Sequence, residues 1–305
     1  MIISISDSKT DLFPMLRLLD FPSEIVEDIL LHSDPLVVAA FAQTCRLSRS
    51  LVYHAPDQHL WRALYLAQPF DDPRKCVSHS GHPRATAVDW RSDLQRIIRA
   101  RTVVRNPRFY RPHERSTVLR TLLDLVCNVP PLHSTVSTAP TSQNLLWVSE
   151  LLRDGSIIDG TSSAEPFLSD EEIQLRAQLH TYFGLTKGDF AKSRRVNSRA
   201  YVYNLRNCSA ANDFGPFLTD GTKRVNWLHV QALHHVVSMH IADRSPFPMS
   251  LPFTQAMIPP EVDLDRERDW AGLSGLWRCS FCFCDHQDLL GNVDKMSSFL
   301  LLLFY

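Results

Sequence analysis

The stretch LLDFPSEIVEDILLHSDPLVVAAFAQTCRLSRSLVYHAPDQHLWRALYL, residues 18–66, carries the densest structural signal in the chain. Apolar residues recur in it at helical spacing, and prolines separate the apolar segments. A first helix is expected at Pro22, since proline suits a first helical turn. A second helix is expected at Pro35, where Asp34 is the capping residue, and a last one after Pro56. The stretch therefore predicts a module of three short helices.

The punctuating residues of this stretch resemble those of the F-box, the module with which a large family of proteins binds the SKP adaptor of SCF-type ubiquitin ligases. The family pattern is Leu-Pro-x-Glu-Leu/Ile, then Asp-Pro-Leu, a Cys-Arg pair and a closing Leu-Trp-x-x-Leu. The matching residues are Phe21, Pro22, Glu24, Ile25, Ile29, Leu30, Asp34, Pro35, Leu36, Cys45, Arg46, Leu60, Trp61 and Leu64. Phe21 and Ser33 depart from the pattern by replacing leucine, and Ser48 by replacing tryptophan. The resemblance implies an F-box domain over residues 16–66.

The resemblance also implies a binding surface on this module. Three helices in so short a segment cannot enclose every apolar side chain, because small domains bury too little surface. The surplus is expected to form a partner surface of the kind in which a helix lies in a groove. The expected adaptor-binding residues are Phe21, Pro22, Glu24, Ile25, Ile29, Leu30, Pro35 and Leu36. The alternative is that the chain buries these side chains against its own downstream helices.

The rest of the chain shows helical periodicity interrupted by loops that are rich in proline, serine and threonine. Five longer helices are predicted, over residues 89–104, 116–127, 145–154, 169–185 and 226–241. We interpret residues 1–15 as an N-terminal tail, residues 67–143 as a linker and helical region, and residues 144–305 as a C-terminal α+β region that recognises a target protein.

Strands are predicted in two places of the C-terminal region. In RAYVYNLRN, residues 199–207, the side chains of Tyr201, Tyr203 and Leu205 alternate with others in the manner of a half-buried strand. A second strand is predicted over residues 277–284. The segments AYVYNLRN, GPFLTDGTKRVNW and DWAGLSGLW are also similar to segments of F-box proteins from mushroom-forming fungi, a resemblance that implies a shared fold and no particular substrate. The predicted fold class is α+β, with a three-helix F-box module, a helical linker region and a domain of mixed helices and antiparallel strands.

The stretch CSFCFCDH, residues 279–286, is a candidate zinc site. Zinc needs ligand atoms less than about 4 Å apart, so a C-x-x-C pair must lie on a sharp turn. Aromatic residues between these cysteines favour a strand, in which Cys279 and Cys282 point to opposite faces. The spacing therefore argues against a metal ion at this position.

Two further sets of possible ligands are weaker. Cys76, His79 and His82 lie in a polar loop without an activating carboxylate at fixed spacing. The histidines of the helix that starts at Asn226 lack the i, i+4 pair that two helical ligands require; they are His229, His234, His235 and His240. We predict no metal and no cofactor, while a zinc-binding protein that uses the Cys/His clusters stays an alternative.

Composition excludes several classes of protein. The net charge of −1 leaves no clustered positive charge for nucleic acid or an anionic membrane. The start MIISISDSKTDLF has no secretory signal pattern, and the longest apolar run, residues 299–305, is far below the ~20 residues that span a bilayer. Seven irregularly spaced cysteines do not form a disulfide framework, and Cys45 is expected in the core.

The lack of a secretory signal, of a membrane span and of a disulfide framework predicts a cytoplasmic or nuclear protein. The apolar end MSSFLLLLFY suggests a shortened domain.

The resemblance implies a function in protein ubiquitylation. The F-box would bind a SKP-type adaptor and, through it, a cullin, while the C-terminal region would bind a protein substrate. Such a receptor acts by proximity and has no catalytic residue of its own, so no enzyme activity is expected. The alternative within the family is an F-box scaffold that acts outside a ubiquitin ligase.

Overall fold

The computed structural model describes residues 18–54, 57–79, 81–83, 87–111, 114–131, 141–159, 168–241, 251 and 255. The chain divides into two compact units, residues 1–68 and 69–305, called here the N-terminal and the C-terminal unit. Within the described ranges, no helix combines the length and the apolar character that crossing a bilayer requires.

The described part of the N-terminal unit is built from short helices. A 3₁₀ turn, Leu18–Asp20, precedes α1 (Ser23–Leu31), α2 (Pro35–Phe41), α3 (Arg46–Tyr53) and α4 (His59–Leu66). Helix α1 packs against α4, and α2 packs against α3. The prediction of three helices is wrong, because Arg46–Tyr53, which begins with the arginine of the Cys-Arg pair, forms a helix of its own. The buried side chains of the unit include Val26, Leu30, Val38, Val52, Leu60, Trp61, Leu64 and Tyr65.

Helix caps explain where α2 and α3 begin. Asp34 accepts a hydrogen bond from the backbone N–H of Leu36 at 2.9 Å, as an N-cap residue does. The predicted start of the second helix is thereby confirmed. Cys45 has the same position before α3, and its sulfur accepts from the N–H of Ser48 at 3.4 Å. Cys45 is exposed, so the expectation that it lies in the core is wrong; a cap has to face the open end of its helix.

The described part of the C-terminal unit is a helical assembly. Its α-helices are α5 (Trp90–Arg105), α6 (Arg115–Cys127), α7 (Gln143–Leu151), α8 (Ser156–Asp159), α9 (Asp170–Phe183), α10 (Lys192–Val202) and α11 (Trp227–Ile241). The five predicted longer helices correspond to α5, α6, α7, α9 and α11 and are confirmed. Helix α9 lies at the centre, where it packs against α6, α8 and α11, while α10 packs against α11.

The predicted α+β fold class is wrong. Among the described residues the only β pairings are isolated bridges, such as that between Phe217 and Val225, and no sheet forms. Residues 199–202, predicted as strand, belong to α10, and Leu205–Asn207 form a 3₁₀ turn. A period-two pattern over so few residues is compatible with one turn of helix, and packing against α11 decides the outcome.

Several predictions fall on residues outside the described ranges. They concern the tail of residues 1–15, the strand of residues 277–284, the cluster CSFCFCDH and the apolar end of residues 296–305.

Candidate functional site

The N-terminal unit presents exposed apolar side chains on its first two helices and on the residue Phe21 before them. Four of its large apolar side chains are between 43% and 49% exposed: Phe21, Ile25, Ile29 and Leu36. We call these four residues the α1–α2 face. Ile25 and Ile29 are one turn apart on α1 and lie on the same side of it, while Val26 and Leu30 beside them are buried. Helix α1 therefore has two apolar sides: one is buried in the core of the unit, and the other is exposed.

The residues expected to bind the adaptor divide into two groups. Pro22 and Glu24 are exposed together with the α1–α2 face. Leu30 and Pro35 are buried, so they support the surface from within and are not part of it. Among the described residues, the four residues of the α1–α2 face are exposed.

A second candidate site lies inside the C-terminal unit and was not predicted. Asp159 ends α8, His180 lies in the last turn of α9, and Asp189 lies in a 3₁₀ turn, Gly188–Phe190. One potential ligand atom from each residue lies within 4.8 Å of the others, and in the described part of the chain this is the only such cluster of three His, Cys, Asp or Glu residues. No sequence motif links the three positions, which explains why spacing arguments miss them.

Electrostatic coupling in this cluster is strong. Nε2 of His180 lies 3.1 Å from Oδ2 of Asp189 and 3.6 Å from Oδ1 of Asp159. Burial lowers the pKa of His180, but the two carboxylates outweigh it and raise the pKa above its ordinary value. Burial likewise raises the pKa of Asp189, but His180 and the N–H of Thr186 outweigh it and hold the pKa well below its usual range.

A cavity of about 200 Å³ adjoins Asp189 on the side of α10 and α11. Its polar lining residues include Arg194, Ser198, Gln231 and His235. Nε2 of His235 lies 3.0 Å from the backbone oxygen of Asp189, which can only accept, so this nitrogen carries the proton. Nδ1 then accepts from the hydroxyl of Ser198 at 2.7 Å. This histidine is therefore hydrogen-bonded on both sides.

The set Cys76, His79 and His82 does not form a metal site in the described structure, because its atoms do not converge. The thiol of Cys76 is buried and donates to the backbone oxygen of Asp72 at 3.4 Å. Burial raises the pKa of Cys76 to about 12, which disfavours the thiolate that binds metal. His79 instead packs edge-on against the ring of Tyr182, with the centroids 5.3 Å apart.

No protein-family model matches this chain, and neither a curated protein nor a solved structure shows significant similarity to it. The F-box assignment therefore stays a prediction that depends on residues 18–66.

Proposed function

We propose that this protein is a substrate-receptor subunit of an SCF-type ubiquitin ligase. The N-terminal unit binds a SKP-type adaptor through the α1–α2 face, and the C-terminal unit binds the protein to be ubiquitylated. The observation that carries the proposal is that four residues of the F-box pattern have exposed apolar side chains: Ile25 and Ile29 on α1, Leu36 on α2, and Phe21 just before α1. The chain contributes proximity between a target and a ubiquitin carrier and no reacting group of its own.

The energetics of the α1–α2 face favour a protein partner. Full burial of one large aliphatic side chain stabilises by about 1.5–3 kcal/mol, so the remaining exposed area of four such residues is a substantial driving force. Contiguous apolar surface with a polar rim is typical of interaction sites on soluble proteins. Glu24 and Asp28 are exposed on α1 and supply such a rim.

Purified full-length protein and a purified SKP adaptor test the docking surface directly. Ile25→Lys and Ile29→Lys place charge on the α1–α2 face without altering a buried side chain, and we expect each to weaken adaptor binding by about tenfold or more. Leu205→Lys is the matched control, because Leu205 is 64% exposed and lies in the C-terminal unit. Unchanged adaptor affinity in both isoleucine variants, with the far-UV circular dichroism of the parent, would refute this surface.

Cullin recruitment separates the ligase from the scaffold alternative. The adaptor-bound protein is expected to retain a cullin on a column, and the isoleucine variants are expected to lose both partners together. Adaptor binding without any cullin would instead assign the chain to F-box scaffolds that act outside a ligase.

A further inference from the structure

We propose that Asp159, His180 and Asp189 form a binding site for a divalent transition-metal ion, with Zn²⁺ as the ion that fits the donor set best. The site is structural, because it joins α8, the end of α9 and the 3₁₀ turn Gly188–Phe190. It is independent of adaptor binding, since all three residues belong to the C-terminal unit.

The imidazole of His180 is the first observation that points to a ligand. Its side chain is 1% exposed, and neither ring nitrogen has a hydrogen-bond partner of normal geometry among the described residues. Nε2 is 3.1 Å from an oxygen of Asp189 but is not directed at it as a hydrogen bond requires. Ligand atoms of a bound metal ion lie close together without forming hydrogen bonds to one another, because their lone pairs point at the ion. The geometry of His180 and Asp189 has this character.

The carboxylates are held by neighbouring groups, as ligands of a metal usually are. The hydroxyl of Thr186 donates to Oδ1 of Asp159 at 2.6 Å, and the backbone N–H of Thr186 donates to Oδ2 of Asp189 at 2.8 Å. Nε of Arg194 approaches the other oxygen of Asp189 at 3.4 Å. A single residue of the connecting segment thus orients both carboxylates.

Two glycines leave room for the carboxylate of Asp159. A Cβ atom at Gly155 would lie 2.7 Å from Oδ2 of Asp159, and one at Gly188 would lie 2.9 Å from it. Both distances are shorter than a real Cβ atom tolerates. A side chain at either position would therefore require the carboxylate of Asp159 to shift, and Gly155 also has φ +70°, a conformation that favours glycine.

The donor set selects the type of ion. One imidazole nitrogen with carboxylate oxygens suits Zn²⁺ and related first-row ions. Ca²⁺ prefers 6–8 oxygen ligands and Mg²⁺ keeps several water molecules, so neither fits a buried site with an imidazole (about 1% exposed). A dication also offsets the repulsion between the carboxylates of Asp159 and Asp189, of which Asp189 is buried.

Zinc content and ligand type provide the main test on the full-length chain. After removal of metal with a chelator and titration with ZnCl₂, we expect about one equivalent bound per chain and a melting temperature that rises with zinc concentration, by about 5–10 °C at a hundred times Kd. X-ray absorption at the zinc edge should show nitrogen and oxygen neighbours only. Sulfur neighbours, or no bound zinc, would overturn the proposal.

Variants locate the bound ion. His180→Gln and Asp159→Asn are expected to lower zinc affinity at least tenfold each, as the loss of one ligand or its support does. The control is the triple variant Cys279→Ser/Cys282→Ser/Cys284→Ser, which removes the cysteines of CSFCFCDH and should bind zinc like the parent. Loss of zinc in the triple variant, or unchanged affinity in both ligand variants, contradicts the proposal. Because the absorption spectrum needs no variant, the test stands even if a variant does not fold.

Discussion

The indole Nε1 of Trp61 donates a hydrogen bond to the backbone oxygen of Val52 at 2.9 Å. Val52 lies in the last turn of α3, where backbone oxygens have no partner within the helix. The bond therefore completes the end of α3 and joins it to α4. Trp61 belongs to the closing Leu-Trp-x-x-Leu of the F-box pattern, so the tryptophan of that pattern has a structural role in this chain.

Trp61→Phe tests that role. The phenyl ring keeps most of the apolar contact but leaves the oxygen of Val52 without its donor, at a cost of about 1–3 kcal/mol. Urea unfolding monitored by circular dichroism should show this loss in the transition of the N-terminal unit. Leu47→Ala is the control, since Leu47 is exposed on α3 and its removal should cost little. Equal stability of the phenylalanine variant and the parent would contradict the assignment.

Asp71 stabilises the start of α7 from a distant part of the chain. Its carboxylate accepts from the hydroxyl of Ser142 and from the backbone N–H groups of Gln143 and Asn144, at 3.0 and 3.1 Å. Anions at a helix N-terminus satisfy unpaired donors and complement the helix dipole. Asp71→Ala should lower the free energy of unfolding of the C-terminal unit by about 2 kcal/mol.

The adjacent carboxylate is the matched control for Asp71. Asp72 pairs with the half-exposed Arg74. Because exposed ion pairs contribute only about 0–1 kcal/mol, Asp72→Ala should be much milder. Similar losses in the two variants, measured by chemical denaturation, would show that the effect is not specific to the helix start.

The pair Arg99 and Glu114 predicts a pH-dependent contribution to stability. Nε of Arg99 donates to Oε1 of Glu114 at 2.6 Å, and this bond lowers the pKa of Glu114 below its ordinary value of 4.5. The stability from a lowered pKa is present above the ordinary value and is lost as the pH falls through the lowered one. Arg99→Gln should therefore destabilise at neutral pH, and the difference should shrink below about pH 4.

Denaturation curves at several pH values measure this dependence. Arg105→Gln serves as the control, because Arg105 is exposed at the end of the same helix. Its effect should be small at every pH. A loss in Arg99→Gln that stays constant down to strongly acid pH would exclude the ion pair as the cause.

Thiol reactivity should follow burial among the four described cysteines. Burial raises the pKa of Cys76 to about 12 and that of Cys127 to about 11. Cys45 is exposed, and hydrogen bonds from Ser48 lower its pKa. Because the thiolate is the reactive form, iodoacetamide near neutral pH should modify Cys45 before Cys76 and Cys127.

Mass spectrometry of short reaction times resolves this order. Cys208 is exposed and serves as the reference for an accessible thiol. Addition of urea should make Cys76 and Cys127 as reactive as Cys208. Early modification of Cys76 in the folded chain would contradict its burial.

Local signals in the sequence determined where most helices lie. A cap and a proline act within a few residues of each other, so Asp34 and Pro35 predicted the start of α2 correctly. The periodicity of α1 indicated an apolar excess, and the structure shows it on Ile25 and Ile29. The F-box prediction also comes from the sequence alone, since it depends on the order and spacing of residues within 18–66.

Only the tertiary structure decided the rest. The segment after Ser198 alternates like a strand, yet it is helical because α10 packs against α11. Cys45 faces solvent because it caps a helix, which apolar character alone does not reveal. Asp159, His180 and Asp189 converge because α8, α9 and a 3₁₀ turn meet in the folded unit. Caps and periodicity are properties of neighbouring residues, whereas a site built from separate elements exists only after those elements pack.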